Sequence, residues 1–240
     1  MLGTIVNTCT IILGSVIGAQ VHRGVKEKYK EAVFTALGLA CLGIGLGATI
    51  RNMPNSEFPV LFILAMAIGS VVGTWLKIDD RFHALVDKLG NRKGTAPATG
   101  RASLAEGLST ACLLYCVGPL SMLGPVTSAL QGDNTLLFTN ATLDFVSSFV
   151  FASTYGIGMA LAAPVLFCWQ GLFYLIAKIS ASAISDALMC ELLIVGGLII
   201  TASGLSLLKI RQGKTLDMLP ALLVPVLWFV GKWLIGLIAA

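Results

Sequence analysis

The chain reads as an all-α membrane protein of about eight transmembrane helices, with an inverted repeat (spans 1–3 and 6–8) around a central broken-helix pair (spans 4–5). Three observations predict this. Hydrophobic residues make up 56% of the 240 and charged residues 12%, with a mean hydropathy of +0.89, whereas a soluble domain carries about a quarter charged residues. Lysine and arginine gather in three short intervals. Two stretches far apart in the chain repeat each other.

Apolar runs of about 20 residues, the length that crosses roughly 30 Å of hydrocarbon, occupy 3–21, 32–50, 58–76, 106–130, 141–161, 164–180, 187–208 and 217–239. Span 1 has no basic residue ahead of it, and its Asn7, Gly14 and Gly18 suit a packed helix better than a cleaved leader. Gly14 with Gly18, and Gly69 with Gly73 in span 3, are GxxxG spacings that let helix backbones approach. Residues 77–104 form the one sizeable soluble stretch. Phe82, Leu85, Val86 and Leu89 share one helical face there, which predicts a short helix on the cytoplasmic membrane surface. Residues 90–100, with Pro97, then read as a linker joining the halves of a single integral membrane domain, 1–240. His22 and His83 read as interfacial residues.

The basic residues set the orientation, because short loops rich in Lys and Arg stay cytoplasmic. Arg23, Lys26, Lys28 and Lys30 lie in the first loop; Lys77, Arg81, Lys88, Arg92, Lys93 and Arg101 in the third; Lys209, Arg211 and Lys214 in the seventh. These are thirteen of the sixteen, and eight spans keep all three loops inside with both termini outside. The net charge of +4 therefore needs no nucleic acid. The partner it implies is the lipid bilayer.

Aligning 24–47 with 183–206 matches Val25 with Ile184, Gly38-Leu39 with Gly197-Leu198, and Gly45-Leu46 with Gly204-Leu205. A shift of one residue brings Gly73, Trp75 and Leu76 onto Gly231, Trp233 and Leu234. Span 2 thus resembles span 7 and span 3 resembles span 8, in opposite membrane orientations, an architecture common among secondary transporters.

The unusual chemistry lies between the repeats. Span 4 is interrupted by Gly118-Pro119 and again by Gly124-Pro125. Proline removes a backbone donor, and non-helical backbone at membrane depth is tolerated only inside protein or beside water. Asp144, near the outer end of span 5, and Glu191, in the outer third of span 7, are intramembrane acids that cost about 2.5–3.5 kcal/mol each on insertion scales. Asp144, Ser148, Phe151 and Tyr155 recur at helical spacing and form a stripe that suits a cation or proton path. Asn7, Ser121, Thr127 and Gln170 offer neutral groups for a ligand or, more often, for interhelical bonds. Glu106 and Asp133 bracket span 4 at the two surfaces.

The six cysteines lie in apolar runs, against a disulfide framework, and Cys112 and Cys116 lack further ligands for a metal. The Gly43-x-Gly45-x-Gly47 run reads as packing, and Asn140-Ala141-Thr142 as a coincidental glycosylation pattern. No hydrolase, P-loop or Rossmann signature is present, so neither an enzyme nor a cofactor is expected.

Several runs resemble one family in order. They are Val6-Asn7 ahead of Gly14-Ser15, Leu114 to Gly118, Gly124, Gly132-Asp133, Leu143-Asp144, Phe151-Ala152-Ser153, Gly156-Ile157-Gly158, Ser185-Asp186, Glu191, Gly196-Gly197 and Leu219 to Leu223. Together they resemble the DUF554 proteins over nearly the whole chain. The resemblance implies a bacterial inner-membrane protein of a class labelled as transporters without an established substrate. Relatives commonly carry a lysine four residues before the span 5 aspartate, where this chain has Asn140. The functional expectation is a transporter of a small ion or solute, using Asn7, Gly118, Pro119, Ser121, Gly124, Pro125, Asp144, Ser148 and Glu191. A gated channel and a membrane sensor acting through the basic 77–104 loop are the alternatives, and the two GxxxG surfaces make a homodimer an expectation as well.

Overall fold

The computed structural model describes residues 1–21, 26–81, 84, 108, 111–112, 115–116, 118–181, 184–210 and 214–238. Every regular element among them is a helix. In chain order these are α1 (Leu2–Ala19), α2 (Glu27–Asn52), α3 (Leu61–Leu76), α4 (Pro119–Leu130), α5 (Thr135–Tyr155), α6 (Ala162–Ile179), α7 (Asp186–Leu207) and α8 (Leu223–Ile238), with 3-10 turns at Met53–Asn55, Ile157–Leu161 and Thr215–Leu222. Six segments among the described residues are long and apolar enough to cross a membrane, and Leu61–Leu76 is a shorter apolar helix. The amphipathic helix and linker expected within 77–104, along with His22, His83 and Glu106, lie largely or wholly outside the described residues; 78–81 and 84 are helical.

The helices sort into two compact units, and each draws on both halves of the chain: Met1–Phe34 with Phe82–Ala181, and Thr35–Arg81 with Ser182–Ala240. Spans 1, 4, 5 and 6 thus form one unit and spans 2, 3, 7 and 8 the other. The stretches expected as repeats, spans 1–3 and 6–8, are divided between the units and do not stand as separate blocks.

In the first unit α1 lies along α5 at backbone distance. A Cβ on Gly14 would sit 2.5 Å from the Phe145 carbonyl oxygen, and one on Gly18 would run into the backbone of Phe149. The sequence placed the start of span 5 at 141, but α5 begins at Thr135. Within this polar stretch the Thr139 and Thr142 hydroxyls donate to the Thr135 and Phe138 carbonyls, so the helix accommodates them without unmet donors. Asp144 consequently stands near the middle of its helix. Gly156 ends α5 at φ +88, ψ −177, a conformation open essentially to glycine, and sets the break before α6.

In the second unit α2 and α7 cross on four glycines. Gly45 meets the Gly197 carbonyl and Thr201 nitrogen; Gly204 meets the Gly38 carbonyl and Leu42 nitrogen. Gly197 meets Thr49, and Gly38 meets Leu208. Under the alignment of Gly38 with Gly197 and Gly45 with Gly204, each contact has its counterpart with the two helices exchanged. That reciprocity is what a two-fold relation between α2 and α7 produces. Alongside, α3 packs on residues 215–222, with Gly69 against Ala221 and Gly73 against Asp217. Ala65, Val195, Ile199 and Ala221 form the buried centre of this unit. Of the Gly43, Gly45 and Gly47 run only Gly45 meets a neighbour, since residues two apart point to different sides of a helix.

Candidate intramembrane polar site

The first unit buries a chain of polar groups where an apolar core would cost nothing to desolvate. Asn7 (0% exposed), Asn140, Asp144, Ser148 and Tyr115 are all buried. Asn7 on α1 and Asn140 on α5 each donate from Nδ2 to the same oxygen, Oδ2 of Asp144, at 2.9 Å. Neither amide engages Oδ1. One turn along α5, Ser148 Oγ donates to the Tyr115 hydroxyl oxygen at 2.9 Å. Tyr115 in turn precedes the chain break at Gly118. Gln170 on α6 donates from Nε2 to Ser121 Oγ at 3.2 Å, while its own Oε1 is buried without a partner.

The broken helix is present, and among the described residues it breaks once, at Gly118. Gly118 is extended (φ −62, ψ 142) between helical 115–116 and Pro119, which opens α4 at its first turn, where a missing N–H costs nothing. The second expected break, at Gly124-Pro125, is absent: α4 runs through Pro125 to Leu130. Gly124 packs on Leu137, and Thr127 Oγ1 donates to the Leu123 and Gly124 carbonyls within the same helix. Thr127 therefore makes its bonds inside α4 and none across to a neighbouring helix. Prolines at 119 and 125 still deny α-helical partners to the carbonyls of Tyr115 and Ser121. These are the residues whose side chains join Ser148 and Gln170.

The structure thus brings together Asn7, Asp144, Ser148, Gly118, Pro119 and Ser121 in one unit, while Glu191 belongs to the other. Phe151 and Tyr155 continue the Asp144 stripe, half-buried, with ring centroids 6.4 Å apart. Two participants carried no functional weight in the sequence. Tyr115 was passed over because its hydroxyl partner lies 33 residues on. Asn140 entered as part of a glycosylation pattern and as the residue standing where relatives commonly carry a lysine; its spacing of four from Asp144 places it on the same face. Gly14 and Gly18 pack on α5, and Gly69 and Gly73 pack on residues 217–221, each pair within its own unit.

A polar site held at the middle of apolar helices defines a polytopic membrane protein, and the comparisons with known proteins agree. The family described as "Protein of unknown function (DUF554)" matches residues 2–230, and the chain belongs to it. It is 47% identical over 225 residues to the uncharacterized membrane protein YdfK of Bacillus subtilis (strain 168), covering 94% of each chain. It is 25% identical over 227 residues to the uncharacterized protein YqgA of Escherichia coli (strain K12), covering 93% of this chain and 94% of that one. No solved structure matches.

Proposed function

We propose that the protein carries a small ion or solute across the bacterial inner membrane, with Asp144 as the charged partner. The observation that carries this reading is the carboxylate itself: 4% exposed, midway along α5, held by two neutral amides and, among the described residues, by no cation. A charge there is costly, and amides aimed at one oxygen fix its position without neutralising it. The other oxygen is left to engage a cation or a solute's donor. In the same unit, the extended Gly118 and the carbonyls left without α-helical partners by Pro119 and Pro125 offer neutral oxygens of the kind that discontinuous helices use as ligands. Asn140, one turn before the acid, supplies a hydrogen bond to it without a charge.

Alternation between sides is supported by two features. The site is buried, so access requires rearrangement, and the reciprocal glycine crossing of α2 and α7 supports an inverted repeat. Eight spans with both termini outside remain the topology that the basic loops favour. The test is flux and current in proteoliposomes, wild type beside Asp144→Asn, across monovalent and divalent ions and small organic anions. Saturable flux lost in the variant supports the proposal. Flux unchanged in the variant removes Asp144 from the path, and unitary current steps make the protein a channel.

A further inference from the structure

The second unit holds an acid of its own, remote in the chain from Asp144 and built differently. Glu191, in the second turn of α7, is 0% exposed. Its Oε1 accepts from Ser56 Oγ at 2.6 Å and from the Phe58 backbone N–H at 3.4 Å. Its Oε2 is buried and has no hydrogen-bond partner. The nearby cation is engaged elsewhere: Lys232 pairs with Glu57 at 3.7 Å and lies 4.8 Å over the Phe58 ring, with both charges more than half exposed.

The setting adds negative potential where a lone carboxylate would least tolerate it. α2 ends at Asn52, and the last carbonyls of a helix carry its negative pole. The Asn52 carbonyl oxygen meets the Sγ of Cys190, the residue beside Glu191, at 3.2 Å. The chain then leaves α2 through the turn Met53–Asn55 and folds Ser56 and Phe58 onto the acid. A buried carboxylate and a helix C-terminus share one corner, and one carboxylate oxygen has nothing bound to it. Burying such a group without compensation is among the most expensive arrangements a protein can hold.

We propose that this corner is a binding site for a dehydrated monovalent metal cation, ligated by Glu191 with Ser56 Oγ and the carbonyls at the end of α2. Charge count selects the class. One carboxylate balances one positive charge, and the remaining ligands are neutral oxygens, whereas divalent sites gather several carboxylates or many oxygens. The Ser56 hydroxyl spends its proton on Oε1 and accepts from the Phe58 N–H at 3.2 Å, which leaves one lone pair for a cation. A bound cation would tie the 53–58 connector to α7. The site goes beyond the transport reading, because it can bind whether or not the protein moves anything.

Phe58 provides a reporter, since its ring packs edge-on against Trp228 at 5.6 Å. The full chain in nanodiscs, with Trp75, Trp169 and Trp233 replaced by phenylalanine, is titrated with Li⁺, Na⁺ and K⁺ against N-methylglucamine at constant ionic strength. Trp228 fluorescence and melting temperature are read together. The expected result is a saturable response to one of these ions, lost in Glu191→Gln and shifted to about tenfold weaker affinity in Ser56→Ala, which removes one ligand. The response persists in Asp144→Asn, separating the two acids. Should Glu191→Gln fail to fold, Ser56→Ala decides alone. The proposal is overturned by equal responses to all cations, by an unchanged response in Glu191→Gln or Ser56→Ala, or by a response to pH alone, which would make the occupant a proton.

Discussion

Removing the Asp144 carboxylate in two ways separates its charge from its hydrogen bonds. Asp144→Asn preserves shape: the side-chain carbonyl takes the place of Oδ2 and accepts from Asn7 and Asn140 as before. The charge-assisted part of two bonds is lost, but so is an intramembrane charge that costs about 2.5–3.5 kcal/mol. The variant should be at least as stable as wild type. Asp144→Ala instead strands two buried amide donors. Each stranded donor costs about 1–3 kcal/mol in soluble proteins, while interhelical bonds in membranes average about 0.6 kcal/mol. The two together should therefore cost about 1–4 kcal/mol. Reversible unfolding in mixed micelles measures this, with Asn7→Ala and the double variant closing a cycle. A non-zero coupling between positions 7 and 144 is expected in that cycle. Equal stability of the Asn and Ala variants would falsify the reasoning, for it would mean that the amides do not depend on the carboxylate.

Three further outcomes follow from the backbone. Gly45→Ala should destabilise by about 1–3 kcal/mol, because its Cβ would lie 2.5 Å from the Gly197 carbonyl and from Thr201, both backbone-fixed. Gly43→Ala, with nothing within 4 Å, should stabilise α2 by about 0.5–1 kcal/mol in the same unfolding assay. Gly156→Ala forces a side chain into a φ of +88 and should cost about 1–3 kcal/mol, read as a lowered midpoint of thermal unfolding.

Composition and apolar run length alone determined that the chain is helical and lives in a membrane, because the bilayer demands about 20 apolar residues per crossing and punishes every other backbone form. The acids Asp144 and Glu191 were legible for the same reason: a charge among apolar residues is conspicuous in one dimension. The Gly118-Pro119 break was legible too, since both residues act through their own backbone. What a neighbour decides was not. Pro125 is absorbed into α4 because Gly124 packs on Leu137 and the Thr127 hydroxyl bonds the turn beside it, and no local rule distinguishes this proline from Pro119. Asn140 and Tyr115 acquired their roles from partners on other turns and other helices. The sequence could align Gly38 with Gly197, but only tertiary structure decided that these glycines cross reciprocally and that each unit takes helices from both halves of the chain. Sequence periodicity records which face of a helix is apolar; which helix meets that face depends on distances between residues more than a hundred positions apart.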